Sequence, residues 1–211
     1  MDSIVYYLPG FMAAYAILLV GALSPGPSVA LLVGQATSHG RAVALLTTLG
    51  IAIGSSTLCI ATLLGFELLF SHAAWVISAL RIVGAAYLLY LAYNAFRKAF
   101  KPSDWQPVLT PKPAKLNTFI SGYLLQVTNV KAISFWLSIS TVGAVEGAPI
   151  TIKLVFVAGA FLVSFMCHGA WAIALSDNRF QQAYRSWRKW VEVSLGSCFV
   201  FFAYRLATST Q

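Results

Sequence analysis

The composition excludes an ordinary soluble domain. Of 211 residues, 59% are hydrophobic and only 9% are charged, whereas about a quarter of the residues in a typical soluble domain are charged. The formal net charge is +8, but the basic residues lie between long apolar runs and form no continuous stripe for nucleic acid. This pattern is typical of a membrane protein whose charges lie beside its spans, so we expect the lipid bilayer as partner and no nucleic acid.

Six apolar segments are each long enough to cross a bilayer, whose hydrocarbon core of about 30 Å requires about 20 helical residues. The apolar runs are continuous and do not alternate with the two-residue period of a transmembrane strand. The fold class predicted is therefore all-α, a polytopic membrane protein with six transmembrane helices. The predicted spans are residues 8–33, 42–70, 74–96, 118–142, 150–175 and 191–207.

A polar segment divides the chain into two halves. Residues 101–116 contain four prolines among charged and polar neighbours, which excludes a membrane span. Residues 1–100 and 117–211 would each hold three spans. Because three is odd, two such halves related by duplication would enter the membrane in opposite senses. The sequence thus predicts two inverted three-helix repeats joined by a basic cytoplasmic loop.

Basic residues are distributed unequally between the two sides of the six spans. Ten follow spans one, three and five, whereas Arg81, Lys153 and Arg205 are the three on the opposite side. Positive charge is retained in the cytoplasm, so we predict that both termini lie outside it. The ten residues are Arg41, Arg97, Lys98, Lys101, Lys112, Lys115, Arg179, Arg185, Arg188 and Lys189.

The first span is interrupted near its middle by the motif Ser24-Pro25-Gly26-Pro27. Each proline removes a backbone donor, and Gly26 permits unusual backbone angles. A broken helix is tolerated in hydrocarbon only where its freed polar groups face protein or water. The motif therefore predicts a cavity beside a restarted helix, whose N-terminus would favour an anionic group. A kink that serves only packing is the alternative.

The fourth span carries Thr128-Asn129-Val130-Lys131 at a similar depth. Thr128 or Asn129 could cap a restarted helix. A lysine at the bilayer centre is costly and indicates a function, unless the span is misplaced and the side chain reaches the headgroups. Two helix N-termini beside a lysine would suit a substrate carboxylate. The predicted substrate-binding residues are Ser24, Pro25, Gly26, Pro27, Ser28, Thr128, Asn129 and Lys131.

Other candidate residues are few. His168 in the fifth span and Asp177 near its end are candidates for proton coupling, although His168 also suits packing or an interhelical hydrogen bond. Glu192 maps to the start of the sixth span, so we expect no carboxylate near the middle of any span. The three cysteines match neither a zinc motif nor a redox pair, and we predict no metal site and no cofactor.

The chain resembles the LysE/RhtB family of bacterial amino-acid exporters. The resemblance rests on the length, the six-span pattern, the basic central loop, the Ser24–Pro27 motif, the segments 38–40 and 84–88, and the glycines of span two. The family usually has Asn-Pro-Lys-Ala where this chain has Asn129-Val130-Lys131-Ala132. The resemblance implies a transporter rather than an enzyme, located in the bacterial inner membrane. It also implies export of an amino acid or small derivative, coupling to a proton gradient, and a homodimer.

Two alternatives belong to other functional classes. A metal-ion or other small-solute transporter of the same superfamily would use buried carboxylate, thiolate or imidazole ligands, and the spans offer only His168 and scattered cysteines. An intramembrane redox carrier would need two thiols that meet across the repeat, whereas spans one and four contain no cysteine.

Overall fold

A computed structural model of the chain describes residues 2–24, 26–70, 74–100, 114–140, 142 and 144–208. The described residues form α-helices joined by short connections, with no strand among them, which confirms the all-α class. The helices are α1 (Asp2–Leu23), α2 (Pro27–His39), α3 (Arg41–Phe70), α4 (Ala74–Ala99), α5 (Lys115–Thr128), α6 (Val130–Ser140), α7 (Ile150–Ala174) and α8 (Asn178–Thr208).

The helices follow the predicted apolar segments, and the largest difference is at the last of them. The segment predicted as span one consists of α1 and α2, and the segment predicted as span four consists of α5 and α6, so both predicted interruptions are present. The last helix begins at Asn178 and not near residue 191. The sixth span was predicted to begin at residue 191 because residues 178–190 are rich in charge. That stretch contains no proline or glycine, and the helix continues through it.

Three helical segments of the described residues are long and apolar enough to cross a membrane by themselves. They are Val5–Leu23, Arg41–Gly65 and Ile150–Ala174. Their outward faces carry large hydrophobic side chains, for example Met12, Leu154 and Met166, each more than 60% exposed. Side chains of this kind are suited to lipid, since a soluble protein rarely exposes contiguous apolar patches of this extent.

Helix α3 lies at the centre of the bundle and packs against α5 on one side and α7 on the other. Its contact with α5 depends on glycine. A Cβ atom at Gly50 would overlap the backbone carbonyl of Phe119, and one at Gly54 would lie 2.9 Å from the Gln126 Cβ. A Cβ atom at Gly122 on α5 would likewise overlap the backbone carbonyl of Thr47. The glycines of α3 and α5 therefore allow these two helices to pack closely.

A buried apolar cluster holds α6 in place. Trp136 and Phe135 are 2% and 3% exposed, and Phe135 packs against Phe199 of α8 with ring centroids 5.6 Å apart. The Trp136 indole Nε1 donates a hydrogen bond to Ser55 Oγ of α3 at 3.1 Å. These contacts fix the start of α6, and with it Lys131, relative to the rest of the bundle.

Candidate functional site

The break in the first span follows from its residues. The last bond of α1 runs from Ser24 N to Val20 O (3.0 Å), and the first of α2 runs from Ala30 N to Gly26 O (2.9 Å). Pro27 occupies the first position of α2, where its missing N–H removes no helical bond. Because no side chain caps this helix end, the first-turn amides of α2 face the break. Pro25 lies outside the described residues.

The break in the fourth span is a single residue. Asn129 has an extended backbone (φ −74°, ψ 107°), and its Oδ1 accepts a hydrogen bond from Lys131 N at 3.1 Å. Asn129 therefore caps α6. The hydroxyl of Thr128 instead donates to Leu124 O of its own helix at 2.7 Å. The residue that follows Asn129 is Val130, so this break forms without a proline.

A buried chain of hydrogen bonds joins the two breaks. Ser28 Oγ, in the first turn of α2, donates to Gln126 Oε1 at 2.9 Å and accepts from Asn129 Nδ2 at 3.3 Å. All three side chains are less than 10% exposed. Since buried polar groups stabilise a structure only when they are paired, this network fixes the N-termini of α2 and α6 next to each other. Gln126 is a member that the sequence did not suggest.

The side chain of Lys131 extends from the break in the fourth span to the break in the first. Its Nζ donates a hydrogen bond to the backbone carbonyl of Ser24 at 2.6 Å. This carbonyl follows the C-terminal end of α1, where the helix dipole is negative. A Cβ atom at Gly26 would lie 3.0 Å from the Lys131 Nζ, so glycine leaves room for the side chain. The ammonium thus contacts the backbone at the break in the first span.

Two cavities meet at Lys131. The smaller, about 30 Å³, has room for water but not for a metabolite. It is lined by residues of α1, α2, α3, α5, α6 and α7, and its polar lining includes Ser55, Ser164 and His168. The larger, about 540 Å³, lies within the size range of small-ligand pockets. Its lining comprises Ser24, Gly26, Pro27, Tyr90, Leu91, Asn94, Ala95, Lys98, Leu125, Thr128, Asn129, Val130, Lys131, Glu192 and Phe199.

The structure gathers most of the predicted substrate-binding residues at these cavities. Six line the larger one, and Ser28 lines the smaller. His168 also lines the smaller cavity; it is 4% exposed, and its Nδ1 lies 2.9 Å from Ser164 O. Asp177 lies elsewhere. It is exposed, and its Oδ1 accepts a hydrogen bond from Arg179 N at 2.7 Å in the first turn of α8.

Glu192 does not lie at a helix end, where the sequence placed it. Glu192 stands midway along α8, is 4% exposed and lines the larger cavity with Lys131. The error came from beginning the sixth span at residue 191, which placed this residue at a helix end. Gly196, one turn further along α8, packs against the Phe96 ring of α4. That close approach of α4 and α8 encloses the Glu192 side of the cavity.

The Asn129 cap yields a prediction for stability. Asn129→Ala removes both the acceptor for Lys131 N and the donor to Ser28 Oγ, and we expect it to lower the free energy of unfolding by about 1–2 kcal/mol. Thermal unfolding of the purified protein in detergent would measure the loss. Asn117→Ala is the matched control, because Asn117 is exposed near the start of α5. Equal melting temperatures for the two variants would refute the role of the cap.

Comparison with known proteins places this architecture in a family. The LysE type translocator family matches residues 19–210. The threonine efflux proteins of Escherichia coli K12 and Salmonella typhi are 26% and 24% identical to the chain over 208 and 207 residues, in each case 94% of this chain and 98% of the relative. The cysteine/O-acetylserine efflux protein of Salmonella paratyphi A is 29% identical over 201 residues, 92% of this chain and 95% of the relative.

No solved structure matches the chain. The family match, however, extends over nearly the whole sequence and includes both helix breaks, the polar network between them and Lys131. The chain therefore belongs to the LysE family of translocators.

Proposed function

We propose that this protein is a secondary transporter that exports an amino acid or a small amino-acid derivative across the bacterial inner membrane. LysE family members are multi-pass membrane transporters and not enzymes, and the relatives named above carry out efflux of threonine and of cysteine or O-acetylserine. The chain aligns with each of them over more than nine-tenths of its length. An amino acid is therefore the substrate class that similarity favours.

The observation that carries the proposal is the meeting of Lys131 with two helix N-termini at the wall of the larger cavity. The first turns of α2 and α6 contribute amides and partial positive charge, and Lys131 contributes a full charge. Lys131 uses one N–H for the Ser24 carbonyl and keeps two for a ligand. We propose that these groups bind the substrate carboxylate.

The packing of the helices supports six spans in two inverted repeats, residues 1–100 and 117–211, joined by the loop 101–116. In such a repeat, α1–α2 corresponds to α5–α6, α3 to α7, and α4 to α8. Exchanging the two repeats then leaves the pairs α3–α7 and α4–α8 unchanged, and it turns the pair α1–α7 into the pair α5–α3. All four of these pairs are in contact, as a pseudo-twofold axis between the halves requires.

The proposed orientation has a direct test. With both termini outside the cytoplasm, an N-terminal or C-terminal epitope tag would be cleaved by protease added to spheroplasts, whereas a tag inserted in the 101–113 loop would be protected until the membrane is opened. The ten basic residues flanking spans one, three and five give this expectation. Protected terminal tags together with a cleaved loop tag would overturn it.

In this orientation the larger cavity lies on the cytoplasmic side of Lys131. Its walls include Asn94 and Lys98, near the end of α4 that this orientation places at the cytoplasm. On the other side, the Phe135 ring packs so closely against Gly21 of α1 that a Cβ atom there would lie 3.0 Å from the ring, and the space described on this side is the small cavity. We propose that this conformation admits substrate from the cytoplasm.

We further propose that export is coupled to the proton gradient. His168 supports this, since it is buried in the small cavity that also contacts Lys131. Asp177, at the connection between α7 and α8, is a second candidate at the cytoplasmic face. A homodimer is also proposed, on the family resemblance alone.

A metabolite screen tests the proposed function. Bacteria expressing the chain, and matched cells with empty vector, are grown in minimal medium, and amino acids in the supernatant are quantified by mass spectrometry. We expect one or a few amino acids to accumulate outside the expressing cells. Resistance to a metal ion without any amino-acid release would instead support the metal-transporter alternative.

A further inference from the structure

Glu192 is the acidic residue in the wall of the larger cavity, and the proposed carboxylate site does not use it. It is 4% exposed and belongs to α8, whereas Lys131 belongs to α6 at the break. Both side chains line the same 540 Å³ space. The cavity thus presents cations from α4 and α6, Lys98 and Lys131, and an anion from α8.

The surroundings of Glu192 leave it available to a ligand. Within the described residues, no hydrogen bond or ion pair joins its carboxylate to another side chain. The basic groups close enough to attract it are Lys98, Arg188 and Lys131. Lys98 lines the cavity but is exposed near the end of α4, and Arg188 lies one turn earlier on α8. A buried carboxylate without a hydrogen-bonded partner is costly, and a bound ammonium would relieve that cost.

We propose that Glu192 binds the ammonium group of the substrate and makes the site selective for zwitterions, an inference that rests on the proposed amino-acid export. The substrate carboxylate would face Lys131 and the amides of α2 and α6, and its ammonium would face Glu192. A zwitterion satisfies both charges and leaves the net charge of the cavity unchanged. A simple carboxylic acid would add a negative charge to the cavity and leave Glu192 without a cation, and it would bind more weakly.

The test compares ligands that differ only in the ammonium group. Equilibrium binding to the full-length protein in lipid nanodiscs is measured for L-alanine with L-lactate, L-serine with L-glycerate, and L-leucine with its 2-hydroxy acid. In the pair whose amino acid binds most tightly, we expect the wild type to bind the amino acid more tightly than the 2-hydroxy acid. Glu192→Gln should reduce the ratio of the two affinities about tenfold or more, as expected for loss of a charged hydrogen-bond partner.

Two further variants separate recognition from folding. Glu146→Gln, at an exposed position in the connection between α6 and α7, should keep the wild-type ratio. Glu192→Asp retains the charge and should keep most of the preference even if its shorter side chain weakens binding overall. A merely structural role for Glu192 would change the affinity for both ligands equally and leave their ratio unaltered.

The outcomes distinguish this inference from the proposed function. An unchanged affinity ratio in Glu192→Gln would overturn the ammonium site while leaving amino-acid export in place. Both would be overturned if the wild type bound none of the amino acids in nanodiscs and the medium screen showed no amino-acid release.

Discussion

Replacing Lys131 with methionine should reduce amino-acid efflux from proteoliposomes by at least about tenfold. Methionine has a similar length and retains the packing at Gly26, but it provides neither the donor to the Ser24 carbonyl nor a charge for a carboxylate. Loss of one hydrogen bond to a charged group corresponds to about 1.5–3 kcal/mol, or about 10- to 100-fold in affinity. The measurement is the initial efflux rate of the radiolabelled amino acid identified in the medium screen.

Lys115→Met is the matched control for this substitution. Lys115 is exposed at the first position of α5, remote from either cavity lining, so the control removes the same charge without altering the site. We expect it to retain at least half of the wild-type rate. If Lys131→Met and Lys115→Met transport equally well at equal reconstitution, Lys131 has no role in substrate binding.

Adding a single methyl group at Gly50 should destabilise the bundle more than any other substitution considered. The Cβ atom of Gly50→Ala would overlap the Phe119 carbonyl and lie 2.9 Å from Tyr123 N, and backbone atoms cannot rotate away as a side chain can. Helices α3 and α5 would have to separate, which would also shift Gln126 and the network at the breaks. We expect a loss of about 2 kcal/mol or more in unfolding free energy.

Gly65→Ala provides the comparison on the same helix. A Cβ atom at Gly65 meets nothing within 4 Å, and alanine favours a helix over glycine by about 1 kcal/mol. In thermal unfolding monitored by circular dichroism, Gly50→Ala should melt several degrees below the wild type, and Gly65→Ala at or above it. Equal melting temperatures would show that the α3–α5 contact is looser than the structure indicates.

The helices and their breaks could be predicted because they follow from local chemistry. Pro27 lacks an N–H and Asn129 is a good cap, and neither property depends on the rest of the fold. Lys131 drew attention because a charge at the bilayer centre is costly whatever surrounds it. Hydropathy likewise located the apolar segments, since lipid imposes the same length on each.

What could not be predicted depends on helices packing against each other. Gln126 resembles any polar residue of a span until Ser28, far away in the sequence, is placed against it. Glu192 was assigned to a helix end because hydropathy falls across residues 178–190, although the helix continues through them. That Thr128 turns to its own helix while Asn129 provides the cap depends on backbone angles that the two residue types do not specify.

The carboxylate site at the two breaks is tested most directly by measuring how well the protein distinguishes the exported amino acid from its carboxamide. The two ligands differ only in the negative charge that Lys131 and the N-termini of α2 and α6 are proposed to bind. We predict that the wild type binds the free acid at least about tenfold more tightly, and that Lys131→Met loses most of this preference. A wild type that binds both ligands equally, or a variant with the preference intact, would contradict the site.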